Sequence, residues 1–315
     1  MRNHQTSRDQ EIINMKSTLE PQLNGVHSTL PRPIPTSPTW VTYSSEVHRE
    51  LKRALAHYAA FHLIRYGNML LIGSGTTLNS LMDEIIGRHI QEKKAFDLII
   101  LTSNLQVMAK GRDAQLGMSR DAPLGRGKSQ NQPAATNLFS EMQTILTGGT
   151  LRSSLDSLTG QYAARGVNNE EIYPDWVFFG AAGLSFRNKQ LTIRYHFQDE
   201  IATQEAYATR PTEHRVLLCD HTKLGTKSGL KANLTIDSLI ETAERCTIIT
   251  TLPAESSGEF RGVQTEIDAF KELLLDLVSR RPDYADRVAL RLVDLEGNVT
   301  QDITVRSVLK SRDQE

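Results

Sequence analysis

Six short apolar runs constrain this chain more than any other feature. They are Met69–Ile72, Asp97–Leu101, Gln143–Leu146, Asp175–Ala181, Arg215–Cys219 and Thr247–Thr251, and each stops at glycines, hydroxyls or a charged turn. Runs this short with little polar alternation read as strands buried on both faces. Several are separated by stretches with helical spacing, such as the stripe Leu78, Leu81, Met82, Ile85, Ile86 and Ile90. Strands alternating with helices over roughly 200 residues predict an α/β fold: a mainly parallel sheet with helices on both faces.

In such sheets ligands bind outside the carboxyl ends of the strands, so the junctions there are the places to look for function. The first is Gly73, Ser74, Gly75, Thr76 and Thr77. Glycines let a backbone approach a ligand, hydroxyls add donors, and the free N–H groups of the following helix favour an anion. No Lys follows the last glycine, so this is not a Walker A loop, and the third glycine of the dinucleotide fingerprint is missing. A tight strand-to-helix turn would use the same residues. The second junction offers Ser103 and Asn104, which suit either a ligand or a helix cap. The third offers Gly148, Gly149 and Arg152, whose guanidinium could fork an anion or lie on the surface. The fifth strand runs into Asp220, His221, Thr222 and Lys223.

The remaining segments divide the chain. Residues 1–43 carry Pro31, Pro33, Pro35 and Pro38 and read as a flexible arm. From Ser45 a helical face begins with Val47, Leu51, Leu55 and Tyr58, whose His57 and His62 lack the companions of a metal set. Residues 111–135, rich in Gly, Ser, Arg, Asn and Pro, read as a mobile excursion of the 44–253 domain. Leu184–Phe186 and Leu191–Phe197 suit a hairpin, followed by a helix that opens with Asp199 and Glu200 and runs to about Thr209. Beyond Pro253 a helix (Val263, Ile267, Phe270, Leu274, Leu277) and a hairpin around Glu296, Gly297 and Asn298 read as a C-terminal appendage, 254–315.

Composition narrows the partners. A net charge of −1 and a pI near 6.8 give no global attraction to nucleic acid or an anionic membrane. No apolar run reaches the roughly 20 residues that span a bilayer. Cys219 and Cys246, each beside an apolar run, read as reduced buried thiols, and the expected setting is cytoplasmic. No metal or cofactor is expected.

Taken in order, RELKRALAHYAAFHL, GSGTTL, TSNL, LTGGTLR, SLTG, DWVFFGAAGL, DEIATQEA and CDHTKLG make the stretch from about Glu46 to Leu252 resemble the sugar-phosphate-sensing domain of DeoR-type bacterial transcriptional regulators. The resemblance implies a Rossmann-like fold, related to ribose-phosphate isomerases, glucosamine-phosphate deaminases and coenzyme A transferases. It implies a phosphorylated sugar or similar small anion as ligand, a regulatory role, and a homo-oligomer. By position it carries ligand contacts to Gly73, Ser74, Gly75, Thr76, Thr77, Ser103, Asn104, Gly148, Gly149, Arg152 and above all Lys223, with Asp220 and Glu200 in support. Catalytic residues are not expected; an isomerase or deaminase of the same fold is the alternative reading.

The chain departs from the family at Gly73–Ser74–Gly75 in place of Asp-Ala-Gly, at Ser185 in place of Asp, at Gln190 in place of Gly and at Gln204 in place of Lys. The family's amino-terminal helix-turn-helix has no counterpart in the sequence, so no direct DNA contact is expected.

Overall fold

In the computed structural model the chain divides into two units, Met1–Tyr43 and Ser44–Glu315. The structure describes residues 48–93, 97–115 and 142–312, all in the second unit. The arm expected over 1–43 and most of the expected excursion, residues 116–135, lie outside them.

The central sheet is built from β1 (Met69–Ile72), β2 (Ile99–Thr102), β3 (Gln143–Leu146), β6 (Trp176–Gly180), β9 (Thr212–Leu218), β11 (Ala243–Thr251), β12 (Val288–Val293) and β13 (Val299–Thr304). Its spatial order is β13-β12-β11-β9-β6-β1-β2-β3, with every neighbouring pair parallel except β12 and β13. Leu70 and Ile72 of β1 face one apolar cluster while Leu71 faces another, the period-two pattern of a strand covered on both sides. On one face lie α1 (Arg49–Tyr58), α2 (Thr76–Glu92) and α3 (Leu105–Gln115). On the other lie α4 (Gln161–Val167), α5 (Gln198–Thr209), α6 (Ile236–Glu241), α7 (Phe260–Arg280) and α9 (Val305–Arg312), α8 being the single turn Pro282–Ala285. The expected α/β fold with helices on both faces is therefore the observed one.

Strand order places a switch point between β1 and β6. The chain runs outward from β1 to β2 and β3, then returns to the opposite side of β1 and continues through β6, β9, β11 and β12. The helix after β1 packs on one face and the helix that follows β6 and its hairpin packs on the other, the divergence at which open α/β sheets bind their ligands.

Short strands follow β3, β6 and β9 along the chain. The hairpin β4 (Thr150–Arg152) and β5 (Ser157–Thr159) was not read from the sequence, where both segments pass for loop. A three-stranded antiparallel sheet contains β7 (Gly183–Ser185), β8 (Thr192–Tyr195) and β10 (Leu230–Lys231); its β7–β8 hairpin is the expected one.

Two expectations are corrected. The excursion does not begin at Gly111, because α3 continues to Gln115. Gly111 lies within that helix, where a Cβ would stand 2.4 Å from Thr144 Oγ1, so the glycine lets α3 lie close on β3. The expected C-terminal helix and hairpin are present as α7 and β12–β13, and they join the sheet rather than stand apart from it: β12 pairs with β11, β13 closes that edge, and α7 covers the face. Glu266 of α7 is buried, and it accepts from Phe186 N–H at 2.9 Å and from Arg187 Nε at 2.8 Å, tying the C-terminal helix to the β7–β8 turn.

Removing that carboxylate strands a buried N–H and a guanidinium. Glu266→Ala is expected to lose about 2–4 kcal/mol of stability in urea titration. A loss within ~0.5 kcal/mol of zero would show the C-terminal helix to be loosely docked.

Candidate functional site

The Gly73–Thr77 loop lies at the switch point. Gly73 N–H donates to Phe178 O of β6 at 2.8 Å, which joins the two diverging strands. Gly75 has φ of +126°, a conformation that glycine accepts at little cost, and forms the N-cap of α2 with no side-chain cap. Gly75 and Thr76 are exposed, while Ser74 and Thr77 are buried. The first turn of α2 thus leaves an uncapped, positively polarised backbone exposed at the switch point.

A residue the sequence reading set aside completes this corner. Gln204, buried in α5, donates from Nε2 to Ser74 Oγ at 2.7 Å. Its Oε1 and the Thr77 Oγ1 are both buried and have no hydrogen-bond partner. Buried polar atoms are nearly always satisfied, so two orphans at one loop mark a place where a polar group is accommodated. The stripe Ile201, Gln204, Ala208 had signalled that this amide faces inward.

The second junction is occupied by the protein itself. Asn104 Oδ1 caps α3 by accepting from the N–H groups of Gln106 at 3.0 Å and Val107 at 3.3 Å, and its Nδ2 donates to Asn79 Oδ1 at 2.7 Å. Ser103 is fully buried, its N–H donating to Tyr207 OH at 2.8 Å and its Oγ accepting from the same hydroxyl at 3.1 Å. The capping reading holds for Asn104, and Ser103 anchors α5.

At the third junction Gly149, with φ of +125°, lies against α4, where a Cβ would come within 2.7 Å of Ala163 Cβ. Its service is to bring the hairpin close to the helix. Gly148 is exposed. Arg152 is paired with Asp199 of α5, with Nη2 at 2.6 Å and Nε at 2.8 Å from Oδ2, and its guanidinium stacks over the Phe197 ring at 4.4 Å. Burial alone would raise the Asp199 carboxyl, but the Arg152 and Thr159 hydrogen bonds bring it below its ordinary value. The charge of Arg152 is therefore already answered within the protein.

Beyond β9 the turn of Asp220 and Lys223 forms a charged group. Asp220 is completely buried, its Oδ1 accepts from the Thr222 hydroxyl, and Lys223 Nζ stands 3.9 Å from Oδ2. Burial opposes the ionised form, yet Lys223 first, then Thr222 and Lys52, hold this carboxyl below its ordinary value. Lys52 of α1 is a second lysine in electrostatic reach; unlike Lys223 it is buried, and burial and Lys223 lower it. The sequence did signal it, since Lys52 stands on the same helical stripe as the buried Ala56, Ala59 and Leu63.

Glu200, in the first turn of α5, connects these parts. It is buried and its Oε2 accepts from His196 N–H at 3.2 Å. Burial pushes its carboxyl up to about 7, against the His196 and Phe197 backbone donors that favour the charged form. The His196 ring is in turn lowered by burial and by the charge of Lys223. Among the described residues no group of three or more His, Cys, Asp or Glu side chains is placed to hold a metal ion, and no helix is long and apolar enough to cross a membrane.

No protein-family model matches the chain, and no curated protein does. Solved structures similar to it include ribose 5-phosphate isomerase A from Methanocaldococcus jannaschii, at 14% identity and a TM-score of 0.35, covering 56% of this chain and 55% of that one. Ribose 5-phosphate isomerase from Plasmodium falciparum aligns at 12% identity and a TM-score of 0.34, covering 56% and 53%. A monomeric glucosamine-6-phosphate deaminase aligns at 11% identity and a TM-score of 0.28, covering 79% of this chain and 95% of that one. The chain spans little more than half the length of either isomerase. Likenesses this distant do not carry an activity across.

The Glu200 carboxyl makes stability depend on pH. Unfolded it ionises near 4.5 and folded near 7, so the folded chain holds the extra proton between those values and stability falls as pH rises through that window. Glu200→Gln keeps an acceptor for the His196 N–H and removes the titration. From about pH 5 to about pH 8 it should therefore gain on the wild type, by up to about 3 kcal/mol in urea titrations. A difference independent of pH would mean that the carboxyl titrates normally.

Proposed function

We propose that this protein binds a phosphorylated sugar or a related small anion at the switch point, in the manner of a sensor domain. The observation that carries the reading is the Gly73–Thr77 loop: an uncapped helix start beside two buried, partnerless oxygens, the Thr77 hydroxyl and the Gln204 carbonyl. An oxyanion accepts from the free N–H groups of the first turn and from the Thr77 hydroxyl, while the alcohols of a sugar donate to the Gln204 carbonyl. The order of loop segments, which resembles that of DeoR-type sensor domains, supports the same ligand. In this reading the signal passes from the ligand through α5 to a second copy or another partner, with a regulatory outcome in carbohydrate metabolism or transcription.

Thermal-shift and calorimetric titrations with pentose and hexose phosphates, their unphosphorylated parents and inorganic phosphate test it. Phosphorylated members are expected to raise Tm and the parents to leave it unchanged. Thr77→Val, which deletes one hydroxyl without changing shape much, is expected to weaken binding about tenfold, the worth of one hydrogen bond to an anion. A flat response across the whole panel overturns the proposal.

One observation favours a second reading, an isomerase-like enzyme. Glu200 titrates near neutrality, where a carboxylate works best as a general base, and Lys223 acts on the adjoining His196. Such an enzyme exchanges the proton beside the sugar carbonyl. Deuterium entering an aldose or ketose phosphate in heavy water, and failing to enter with Glu200→Gln, is the outcome it requires. The absence of exchange in the wild type leaves binding alone.

A further inference from the structure

Asp220 presents an acceptor that the fold does not use. The carboxylate is completely buried at the carboxyl end of β9 and is oriented by the Thr222 hydroxyl on Oδ1. Its Oδ2 is also buried and has no hydrogen-bond partner. Lys223 Nζ stands 3.9 Å from that oxygen, beyond hydrogen-bond length, and Lys52 adds a second positive charge in the neighbourhood.

The chemistry of what fits between them is restricted. Oδ2 requires a donor, and the Lys223 ammonium offers one more donor that requires an acceptor. A phosphate or carboxylate would satisfy the lysine and be repelled by Asp220; a cation would satisfy Asp220 and be repelled by the lysines. A hydroxyl does both. An oxygen at the usual hydrogen-bond distance of about 2.75 Å from each atom would subtend an angle of about 90° between them, which a hydroxyl donating to one and accepting from the other can meet. The Lys223 side chain, a quarter exposed on a flexible stem, forms the side from which such a group enters.

β9 lies two strands from β1, with β6 between. At about 4.8 Å per strand, its end stands about 10 Å from the Gly73–Thr77 loop, which is the reach of a sugar phosphate from its phosphate to the far carbons of its chain. We infer that Asp220, together with Lys223, reads a hydroxyl on the carbon chain of the ligand and so selects fully hydroxylated sugar phosphates over their deoxy counterparts. This rests on the sugar-phosphate reading and adds the group that discriminates among such ligands.

The test is calorimetry on the full chain with matched pairs, ribose 5-phosphate against 2-deoxyribose 5-phosphate and glucose 6-phosphate against its monodeoxy analogues, with inorganic phosphate as the probe for the loop alone. In at least one pair the wild type is expected to prefer the hydroxylated member by tenfold or more, as sites built to pair with a hydroxyl do. With Thr222 still held on Oδ1, Asp220→Asn puts an amide donor where the acceptor was. The ratio should then fall to about one while inorganic phosphate binds no more weakly than before, since the charge that repels an anion is gone. Thr222→Val keeps the charge and frees its orientation; it should reduce the ratio several-fold and serves if Asp220→Asn does not fold. Equal ratios in the wild type and the variants overturn the inference and leave the sugar-phosphate reading standing, because a site filled by water would behave so. If neither sugar phosphates nor inorganic phosphate bind the wild type, the reading itself fails and the inference fails with it.

Discussion

The polar side chains buried along α5 tie the candidate site together. A helix lying on a sheet ordinarily offers that sheet an apolar stripe, but α5 buries Thr203, Gln204 and Tyr207, sets the half-buried Asp199 beside them, and gives each a different partner. Asp199 holds Arg152 and Thr159 of the β4–β5 hairpin, Thr203 donates to Gly160 O, Gln204 donates to Ser74, and Tyr207 bonds to Ser103. Each bond is worth little by itself, while leaving either partner buried and unmet costs more. The loops after β1 and β2 and the hairpin after β3 are therefore positioned against one helix, and a group bound at the first of them acts on the element that fixes the others.

The sheet was legible in the sequence because its strands are apolar on both faces and its helices amphipathic, and these signals survive without tertiary context. The six runs became β1, β2, β3, β6, β9 and β11. The β4–β5 hairpin was not legible, since three-residue strands such as Thr150–Arg152 carry no period. The role of 254–315 was lost for another reason: pattern shows that Val288–Val293 is a strand, and only pairing shows whose neighbour it is.

The candidate site was half legible. Glycines and hydroxyls marked Gly73–Thr77, but the same residue types at Ser103 and Asn104 turned out to serve a cap and an anchor. Sequence cannot separate these uses, because a side chain that donates to a ligand and one that donates to its own backbone are chemically alike. Arg152 shows the same ambiguity: its sequence position suits an anion fork or a surface charge, and the structure pairs it with Asp199, 47 positions later. Gln204 and Lys52 were missed as site residues although each stands on a buried helical stripe, where a polar group demands an explanation.

The acids of α5 give the site its character. An anion site at a helix start ordinarily keeps acids away, yet Asp199 and Glu200 both stand in the first turn of α5, where they answer its dipole themselves. Of the two candidate helix starts, that of α2 is left open and that of α5 is filled by the protein. In the proposed reading a phosphate would therefore sit at the Gly73–Thr77 end and the carbon chain would extend toward Glu200, Lys223 and Asp220, a region of mixed charge that suits alcohols better than a second anion. Whether Glu200 there exchanges a proton with the chain or only feels its arrival, the same burial governs it: water excluded from the carboxyl keeps it near neutrality, and any ligand that covers the site further raises the cost of its charge.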